Sequence, residues 1–325
     1  MSVTIWTNHD LLPAARALLV AELAKMDGRL IQSAGASRSV LTQSGSDPAL
    51  AEADIAYGQP DPADVMAISR LRWVALSSAG YTRYDRDDFR TAMKTRGTPV
   101  TNASTVFANP CAEHVLAQML ALARNLPAQL RNQDGAREWR YQEDRFTSKS
   151  LSGQSVVLLG FGAIGRRLAE FLQPFGGRVV AYRRTARGDE GIDIVDDAGL
   201  PAALAVADQV VNLLPDSPST RGFMNAVRFK QMKRGARFYN VGRGTTVDQL
   251  ALIGALETGQ VAHAYLDVME PEPLPPAHPL WSAPNCFITC HIAGGTVDQD
   301  EKLVRFFLEN FRRFRAGEPL LDRIM

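Results

Sequence analysis

Three side chains of complementary chemistry each follow an apolar run in the second half of the chain. Arg243 lies in Tyr239-Asn240-Val241-Gly242-Arg243-Gly244, Glu272 in Leu266-Asp267-Val268-Met269-Glu270-Pro271-Glu272-Pro273, and His291 in Thr289-Cys290-His291-Ile292-Ala293-Gly294-Gly295. A guanidinium is always charged and presents a fork of donors, so Arg243 can hold a carboxylate and the carbonyl oxygen beside it. An imidazole can give or take a proton, and a carboxylate such as Glu272 next to it would raise its pKa above the ordinary value of ~6.5 and keep a proton available. Cation, proton donor and carboxylate together suit the interconversion of a 2-keto acid and a 2-hydroxy acid, with the hydride supplied by a cofactor.

These residues can meet only if the strands before them lie side by side. In an open parallel sheet, residues just past the carboxyl ends of the strands converge on the crevice where ligands bind. Residues 3–7, 53–57 and 73–76 read as short strands, with helical spacing between them at Leu11, Leu12, Ala15, Leu18, Leu19 and Leu23, then at Val65, Ile68 and Leu71 behind an Asp61-Pro62 start. Val115, Leu116, Met119, Leu120 and Ala123 form the stripe of a long helix whose start is read at Asn109-Pro110. Residues 132–149 read as a polar surface connection in which Trp139 is the apolar exception. Further strands fall at 155–159, 178–182, 209–214, 237–241, 262–268 and 287–290, and a last helix turns Leu303, Phe306, Phe307, Phe311 and Phe314 inward and Arg305, Arg312, Arg313 and Arg315 to solvent. Strands alternating with helices imply βαβ units, hence an α/β fold with parallel sheets.

The strand at 155–159 runs into Gly160-Phe161-Gly162-Ala163-Ile164-Gly165, and a helical pattern and a returning strand follow. A glycine triplet alone is weak evidence; in this setting it reads as a dinucleotide-binding loop. Gly160 allows the turn, Gly162 lets the backbone approach a pyrophosphate, and Gly165 lets the helix pack on the strand. The free N–H groups of Ala163 and Ile164 face the anion at the positive end of the helix. After the second strand come Arg183 and Arg184 instead of a carboxylate that would bind ribose hydroxyls. Two guanidinium groups suit a 2′-phosphate, so NADP(H) is the expected cofactor and NAD(H) the alternative.

Together these segments resemble the D-isomer-specific 2-hydroxyacid dehydrogenase family, which includes glyoxylate/hydroxypyruvate reductases. Ser77-Ser78-Ala79-Gly80-Tyr81 is similar to that family's substrate loop, Ala112-Glu113-His114 to the segment opening its interdomain helix, and Leu213-Leu214-Pro215 with Thr220 to the wall beside its cofactor. The three catalytic segments match in order and approximate spacing. The resemblance implies a Rossmann cofactor domain inserted in a flavodoxin-like substrate domain, both doubly wound parallel sheets. It also implies that the amides of Ala79 and Gly80 hold the substrate carboxylate beside Arg243 and His291. Asp267 would bind the nicotinamide carboxamide, and Leu214, Pro215, Thr220, Val241, Gly242, Arg243, His291 and Gly294 would line the cofactor. Family members dimerise through the cofactor domain, so a homodimer is expected; Trp139 would either reach a neighbouring subunit or pack on its own. Departures are Cys290 where Pro is common, read as a buried small apolar residue, Met269 where Phe is usual, and Arg83 in the substrate loop, read as facing solvent.

Composition sets the outer limits. The 325 residues carry 36 Lys plus Arg and 35 Asp plus Glu, a net charge of +1, which leaves no field to gather nucleic acid or an anionic membrane. At about 150 residues per domain two domains are expected: residues 1–102 plus 291–325 for substrate and 103–290 for the dinucleotide, with hinges near Asn102 and His291 that close and expel water. No run of ~20 apolar residues and no signal peptide is evident, and three cysteines suit a reducing, cytoplasmic compartment. Cys286, Cys290 and His291 are not expected to bind metal, because strand residues alternate faces. His9, His114, His263 and His278 are read as structural or surface residues. Glu272 argues against a formate dehydrogenase, which carries Gln there. A phosphoglycerate dehydrogenase is an open rival, although no regulatory domain is seen after the last helix. A dinucleotide-sensing, corepressor-like binding protein without turnover is the alternative from another class.

Overall fold

The structure, a computed structural model, describes residues 2–38 and 45–325. It divides into two compact units, Met1–Phe107 with Gly295–Met325, and Ala108–Gly294. The chain passes from the first to the second within the helix Ser104–Ala123 and returns at Gly294, a few residues beyond the expected crossings at Asn102 and His291.

In the first unit β1 (Val3–His9), β2 (Gly28–Ser37), β3 (Ile55–Gly58), β4 (Trp73–Leu76) and β5 (Val100–Thr101) form one parallel sheet in the order β2-β1-β3-β4-β5. This is the flavodoxin-like order. Every residue of β1, β3 and β4 is buried, as strands covered on both faces must be. The helices Pro13–Lys25 and Gln299–Ala316 close one face over Ile5, Leu19, Ile55 and Phe307, and Pro62–Ala67 with Asp87–Arg96 close the other over Val65, Val74, Phe89 and Met93. Phe307 stacks on Tyr57 at 4.2 Å and on Trp73 at 5.2 Å. The expected Asp61 cap is present: its carboxylate accepts the N–H groups of Ala63 and Asp64, and Pro62 opens the helix. Strand β2 was not expected. Its sequence, GRLIQSAGAS, sits at the sheet edge half-exposed and lacks the alternation that marks a strand.

The second unit holds β6 (Val156–Leu159), β7 (Val179–Tyr182), β8 (Asp193–Val195), β9 (Gln209–Asn212), β10 (Ala236–Asn240), β11 (Val261–Leu266) and β12 (Cys286–Ile288), all parallel, in the order β12-β11-β10-β9-β6-β7-β8. Counted from β6 the order is 3-2-1-4-5-6 with one further strand, the Rossmann arrangement, and it reverses between β6 and β9. Its core is built from Val157, Leu159, Val210, Phe229, Phe238, Leu252 and Leu266.

Two local expectations need correction. Asn109-Pro110 does not start the long helix; Ser104–Ala123 runs through Pro110, which is buried. A proline ring supplies no N–H, so the bond to the Val106 carbonyl is missing, and burial of this helix face outweighs that loss. The connection at 132–149 is partly helical, over Leu126–Asp134 and Tyr141–Arg145, but neither helix has a buried residue. No helix among the described residues is long and apolar enough to cross a membrane.

Candidate active site

Backbone hydrogen bonding continues one residue past the ends of four strands. Leu213 N–H donates to Leu159 C=O, Val241 to Asn212, Asp267 to Asn240 and Thr289 to Leu266, at 2.8 to 3.2 Å. The loops after β6, β9, β10, β11 and β12 therefore leave the sheet at one level, and all five carry residues singled out by sequence.

The loop after β6 needs its glycines for three different reasons. Gly160 has φ +98°, and a Cβ there would lie 3.3 Å from the Leu213 carbonyl. A Cβ on Gly165 would lie 3.0 Å from Gly160 O, so this glycine seats the helix Ala163–Leu172 on the turn. Gly162 has neither reason: its φ of −94° suits any residue, and no protein atom lies within 4 Å of its Cβ position. The open space stands at a helix N-terminus where the first N–H groups, Ala163 and Ile164 among them, lack intrahelical acceptors. A glycine with room on its outer side and free donors behind it fits the pyrophosphate of a dinucleotide.

Arg243 and Glu272 are brought together by close backbone contact. A Cβ on Gly244 would fall 1.9 Å from Met269 O, so the strap after β10 rests directly on the strap after β11. Gly242 also lies close on Leu214: a Cβ there would fall 2.7 Å from its carbonyl oxygen. The Arg243 guanidinium is recessed, donates from Nη1 to Gly242 O at 2.6 Å, and has no carboxylate within ion-pair distance among the described residues. Burial lowers its pKa from the ordinary value, against the opposing charges of Glu272, Cys111 and Asp216. It remains a cation, and one that lacks a partner.

His291 Nδ1 pairs with Glu272 Oε2 at 2.8 Å, and Glu272 Oε1 accepts the Met269 N–H at 3.0 Å. Burial pushes the Glu272 carboxyl up, but the hydrogen bond and charge of His291, the Met269 amide and Arg243 outweigh it and hold the carboxyl below its ordinary range. The pair fixes which nitrogen is free: Nδ1 is committed to Glu272, and Nε2 is left for a reacting group. His291 has φ +53°, a left-handed conformation that costs a non-glycine residue about 1–3 kcal/mol. Asp267 holds it there. Its carbonyl accepts the His291 N–H at 2.8 Å, its Oδ1 accepts Ile292 N–H at 2.9 Å and Thr289 Oγ–H at 2.5 Å, and its Oδ2 accepts Ala293 N–H at 3.0 Å.

Several supporting residues carried no motif. Asn212 donates to Asn240 Oδ1 and to Thr246 Oγ1, Asn240 donates to the carbonyls of Arg243 and Val268, and Thr246 donates to Arg243 C=O at 2.6 Å. Asn240 was visible only as the residue before the Arg243 strap; Asn212 and Thr246 gave no signal. Thr220 Oγ1 donates to Pro215 C=O at 2.6 Å and shapes the wall beside Leu214, which is buried. Gly294 closes the second unit, half-buried, directly after Ala293.

Other expectations are modified. Arg183 is mostly buried and ion-paired to Glu190 at 2.9 Å, whose carboxylate also takes the N–H groups of Arg187 and Gly188; a carboxylate seven residues downstream was not foreseen. Arg184 is exposed and, among the described residues, hydrogen-bonds only Ser219 Oγ, at 3.2 Å. Cys290 is exposed rather than buried, because β12 ends at Ile288 and the chain turns out of the sheet before His291. In the first unit, the Ala79 carbonyl accepts Asn102 Nδ2 and the Gly80 carbonyl accepts Ser78 Oγ, whereas the N–H groups of Ala79 and Gly80 have no acceptor among the described residues. Arg83 is half-buried 4.0 Å from Asp61, with Nη1 enclosed and unpartnered, so it does not simply face solvent. Trp139 is 95% exposed and does not pack on its own chain. His263 stacks on Phe287, and burial together with Arg237, Arg131 and Lys149 pulls its pKa down to about 4. His278 accepts the Leu280 N–H, His9 lies 3.5 Å from Asp300, and His114 meets Tyr265. Among the described residues no group of three His, Cys, Asp or Glu side chains is arranged for a metal ion.

Residues 116–293 match the family described as D-isomer specific 2-hydroxyacid dehydrogenase, NAD binding domain. A glyoxylate reductase of Pyrococcus furiosus is 32% identical over 257 residues, 77% of this chain and 74% of that protein. A D-isomer specific 2-hydroxyacid dehydrogenase from Xanthobacter autotrophicus Py2, solved in complex with NADPH and MES, superposes with a TM-score of 0.80 at 31% identity over 100% of this chain and 98% of that one. An NADPH-dependent glyoxylate/hydroxypyruvate reductase from Sinorhizobium meliloti, in complex with NADP and sulfate, gives a TM-score of 0.77 at 26% identity over 99% and 98%. The chain belongs to the D-isomer specific 2-hydroxyacid dehydrogenase family. It is an NAD(P)-dependent oxidoreductase of small 2-hydroxy and 2-keto acids.

The glycines give a test that separates ligand space from packing. Gly162→Ala should leave the free energy of urea unfolding within about ±0.5 kcal/mol, as a neutral surface change does, and weaken dinucleotide binding at least tenfold. Gly242→Ala, which drives a methyl into the Leu214 backbone, should lower the midpoint itself. Equal loss of stability in both would mean that Gly162 is only a packing glycine.

Proposed function

We propose that the protein is a reductase of small 2-keto acids, such as glyoxylate or hydroxypyruvate, that forms the D-2-hydroxy acid and prefers NADP(H) to NAD(H). The carrying observation is the pairing of His291 Nδ1 with Glu272 Oε2 next to an Arg243 that has no counter-ion of its own. Arg243 binds the substrate carboxylate with its fork and polarises the adjacent carbonyl. In the first unit the Ala79 and Gly80 amides, without acceptors among the described residues, are assigned to a substrate carboxylate. The nicotinamide, once bound, supplies the hydride. His291 gives a proton from Nε2 to the substrate oxygen, and Glu272 stabilises the imidazolium and fixes the ring by holding Nδ1–H.

Gly160, Gly162, Ala163, Ile164 and Gly165 are assigned to the pyrophosphate. Leu214, Pro215, Thr220, Val241, Gly242 and Gly294 are assigned to the rest of the cofactor. Asp267 is assigned to the carboxamide edge, although its oxygens already serve three donors of the His291 strap. NADP(H) preference rests on Arg183 and Arg184, with Glu190 orienting Arg183 and leaving Arg184 as the freer cation. The NADPH- and NADP-bound relatives agree with it. A homodimer is supported by Leu130, Trp139 and Phe146, exposed at 60%, 95% and 77% in a segment without a core of its own. Sedimentation as a monomer at assay concentration would remove that part of the proposal. Free cysteines agree with a reducing cytoplasmic setting.

Two substitutions test the roles. His291→Ala should lower the rate of NADPH oxidation with glyoxylate or hydroxypyruvate by ~10²–10⁴ and leave NADPH affinity nearly unchanged; weakened NADPH binding with normal turnover would reverse the assignment. Arg183→Asp should shift the NADPH-over-NADH preference by about tenfold or more, the value of one charge-assisted hydrogen bond, and an unaltered ratio would remove the argument for the 2′-phosphate.

A further inference from the structure

A line of polar side chains leads from Asp267 to the helix Ser104–Ala123, and the reaction above does not use it. His114 Nε2 is hydrogen-bonded to the Tyr265 hydroxyl, Tyr265 to Thr289 Oγ1, and Thr289 Oγ1 to Asp267 Oδ1 at 2.5 Å. Tyr265 and Asp267 are each 1% exposed, and the His114 ring lies 5.4 Å from that of Tyr265. Polar groups this deep are costly unless every one is satisfied, and in a low-dielectric setting each bond strengthens the next.

The direction of every bond follows by elimination. The Asp267 carboxylate already accepts Ile292 and Ala293 N–H groups and has no hydrogen to give, so the Thr289 hydroxyl must donate to it. That commits the one hydrogen of Thr289, whose oxygen must then accept from the Tyr265 hydroxyl. The Tyr265 hydrogen is thereby committed, and its oxygen can only accept from His114. Burial lowers the His114 pKa from its ordinary value, with Asp267 acting against that shift, so the ring is neutral near pH 7 and carries a single N–H. Only the tautomer with hydrogen on Nε2 completes the line.

We propose that His114 is a positioning residue of the active site, and that the one-way donor line His114–Tyr265–Thr289–Asp267 fixes the strap that aims His291. The inference rests on the reading of His291 as the proton donor. Thr289 starts the strap two residues before His291, and Asp267 is the acceptor that holds His291 in its left-handed conformation. Removing a donor upstream frees the Thr289 hydroxyl to turn away, and the carboxylate loses the contact that sets its rotamer. The strap then loosens where a displacement of about 1 Å costs on the order of 10²-fold in rate.

The first test needs no turnover. Long-range proton–nitrogen correlation spectra of the protein without ligands should show His114 with hydrogen on Nε2 and a bare Nδ1; the opposite tautomer overturns the line outright. The second is kinetic. His114→Leu, Tyr265→Phe and Thr289→Val should each lower kcat by about tenfold while KM for the keto acid moves less than about twofold. His114→Gln, which retains a terminal N–H donor, should recover most of the loss. His114→Leu with Tyr265→Phe should be no worse than either alone, since the line acts as a unit. Additive losses, unchanged kcat in all three variants, or KM rising in step with the loss of kcat would each overturn the proposal. A wild-type protein that binds NADPH and reduces no 2-keto acid would overturn the His291 reading and the catalytic role of the line with it. The wrong tautomer in an active enzyme would overturn the line alone.

Discussion

The arrangement of the second unit depends on a single buried carboxylate. Asp267 is 1% exposed, and an ion so placed is strongly unfavourable unless its oxygens are hydrogen-bonded. The available donors belong to the strap after β12, so satisfying the charge and folding the strap are the same event. Ile292 and Ala293 turn their N–H groups inward, and His291, lying between them and the sheet, is forced to positive φ. The imidazole is then presented to Glu272 on the strap from β11. The hydrogen bonds from Thr289, Ile292 and Ala293 to the carboxylate thus offset both the strain at His291 and the desolvation of Asp267, and the product is a fixed ring with one free nitrogen.

A second constraint acts through absent side chains. Parallel strands deliver their loops to one edge of the sheet, but adjacent strands there lie only ≈ 4.8 Å apart, and ordinary residues would hold the loops at arm's length. Gly160 and Gly242 approach the backbone of Leu213 and Leu214 from the two sides, and Gly244 meets Met269. The order of strands reverses between β6 and β9, so Leu213 and Leu214 stand at the lip of the crevice where the fold binds ligands. Behind these contacts Asn240 donates to the carbonyls of Arg243 and Val268 and accepts the Gly242 N–H, while Asn212 accepts the Leu214 N–H and donates to Asn240 Oδ1. Close approach requires glycine, and glycine leaves backbone polar atoms for someone else to satisfy; the asparagines are the answer to that requirement.

The parts of this architecture that were legible in the sequence are those with a local cause. Apolar runs buried on both faces marked β1, β3, β4, β6 and β7, and the glycine loop declared itself by standing between a strand and a helix. Arg243, Glu272 and His291 were recognisable because each follows such a run. What escaped has a non-local cause. Strand β2 and the three-residue β8 exist only by pairing with β1 and β7, and neither has alternation strong enough to be seen alone. Glu190 became the partner of Arg183 through a turn that folds the chain back after β7, and Cys290 is exposed because β12 ends at Ile288 and the chain turns out of the sheet before His291. Pro110 was read as punctuation when the burial of its helix decides otherwise. Asn212, Thr246, Thr289 and Tyr265 are ordinary in type, and only the packed structure shows which of their hydrogens are committed.

Arg243 completes the argument by what it lacks. Three deep carboxylates of the second unit are answered within the chain: Asp267 by three donors, Glu272 by His291 and an amide, Glu190 by Arg183 and two amides. Arg243 gives one hydrogen bond to its neighbour's carbonyl and finds no anion, although Glu272 and Asp216 are near enough to be felt. A recessed cation left this way is destabilising in the free protein, and the destabilisation is relieved only by an anion that arrives from outside. In the first unit the unpaired N–H groups of Ala79 and Gly80 present the same kind of deficit. Each unit, taken by itself, thus holds donors that lack an acceptor among the described residues, whereas the His291 imidazole is already balanced by its own carboxylate, Glu272.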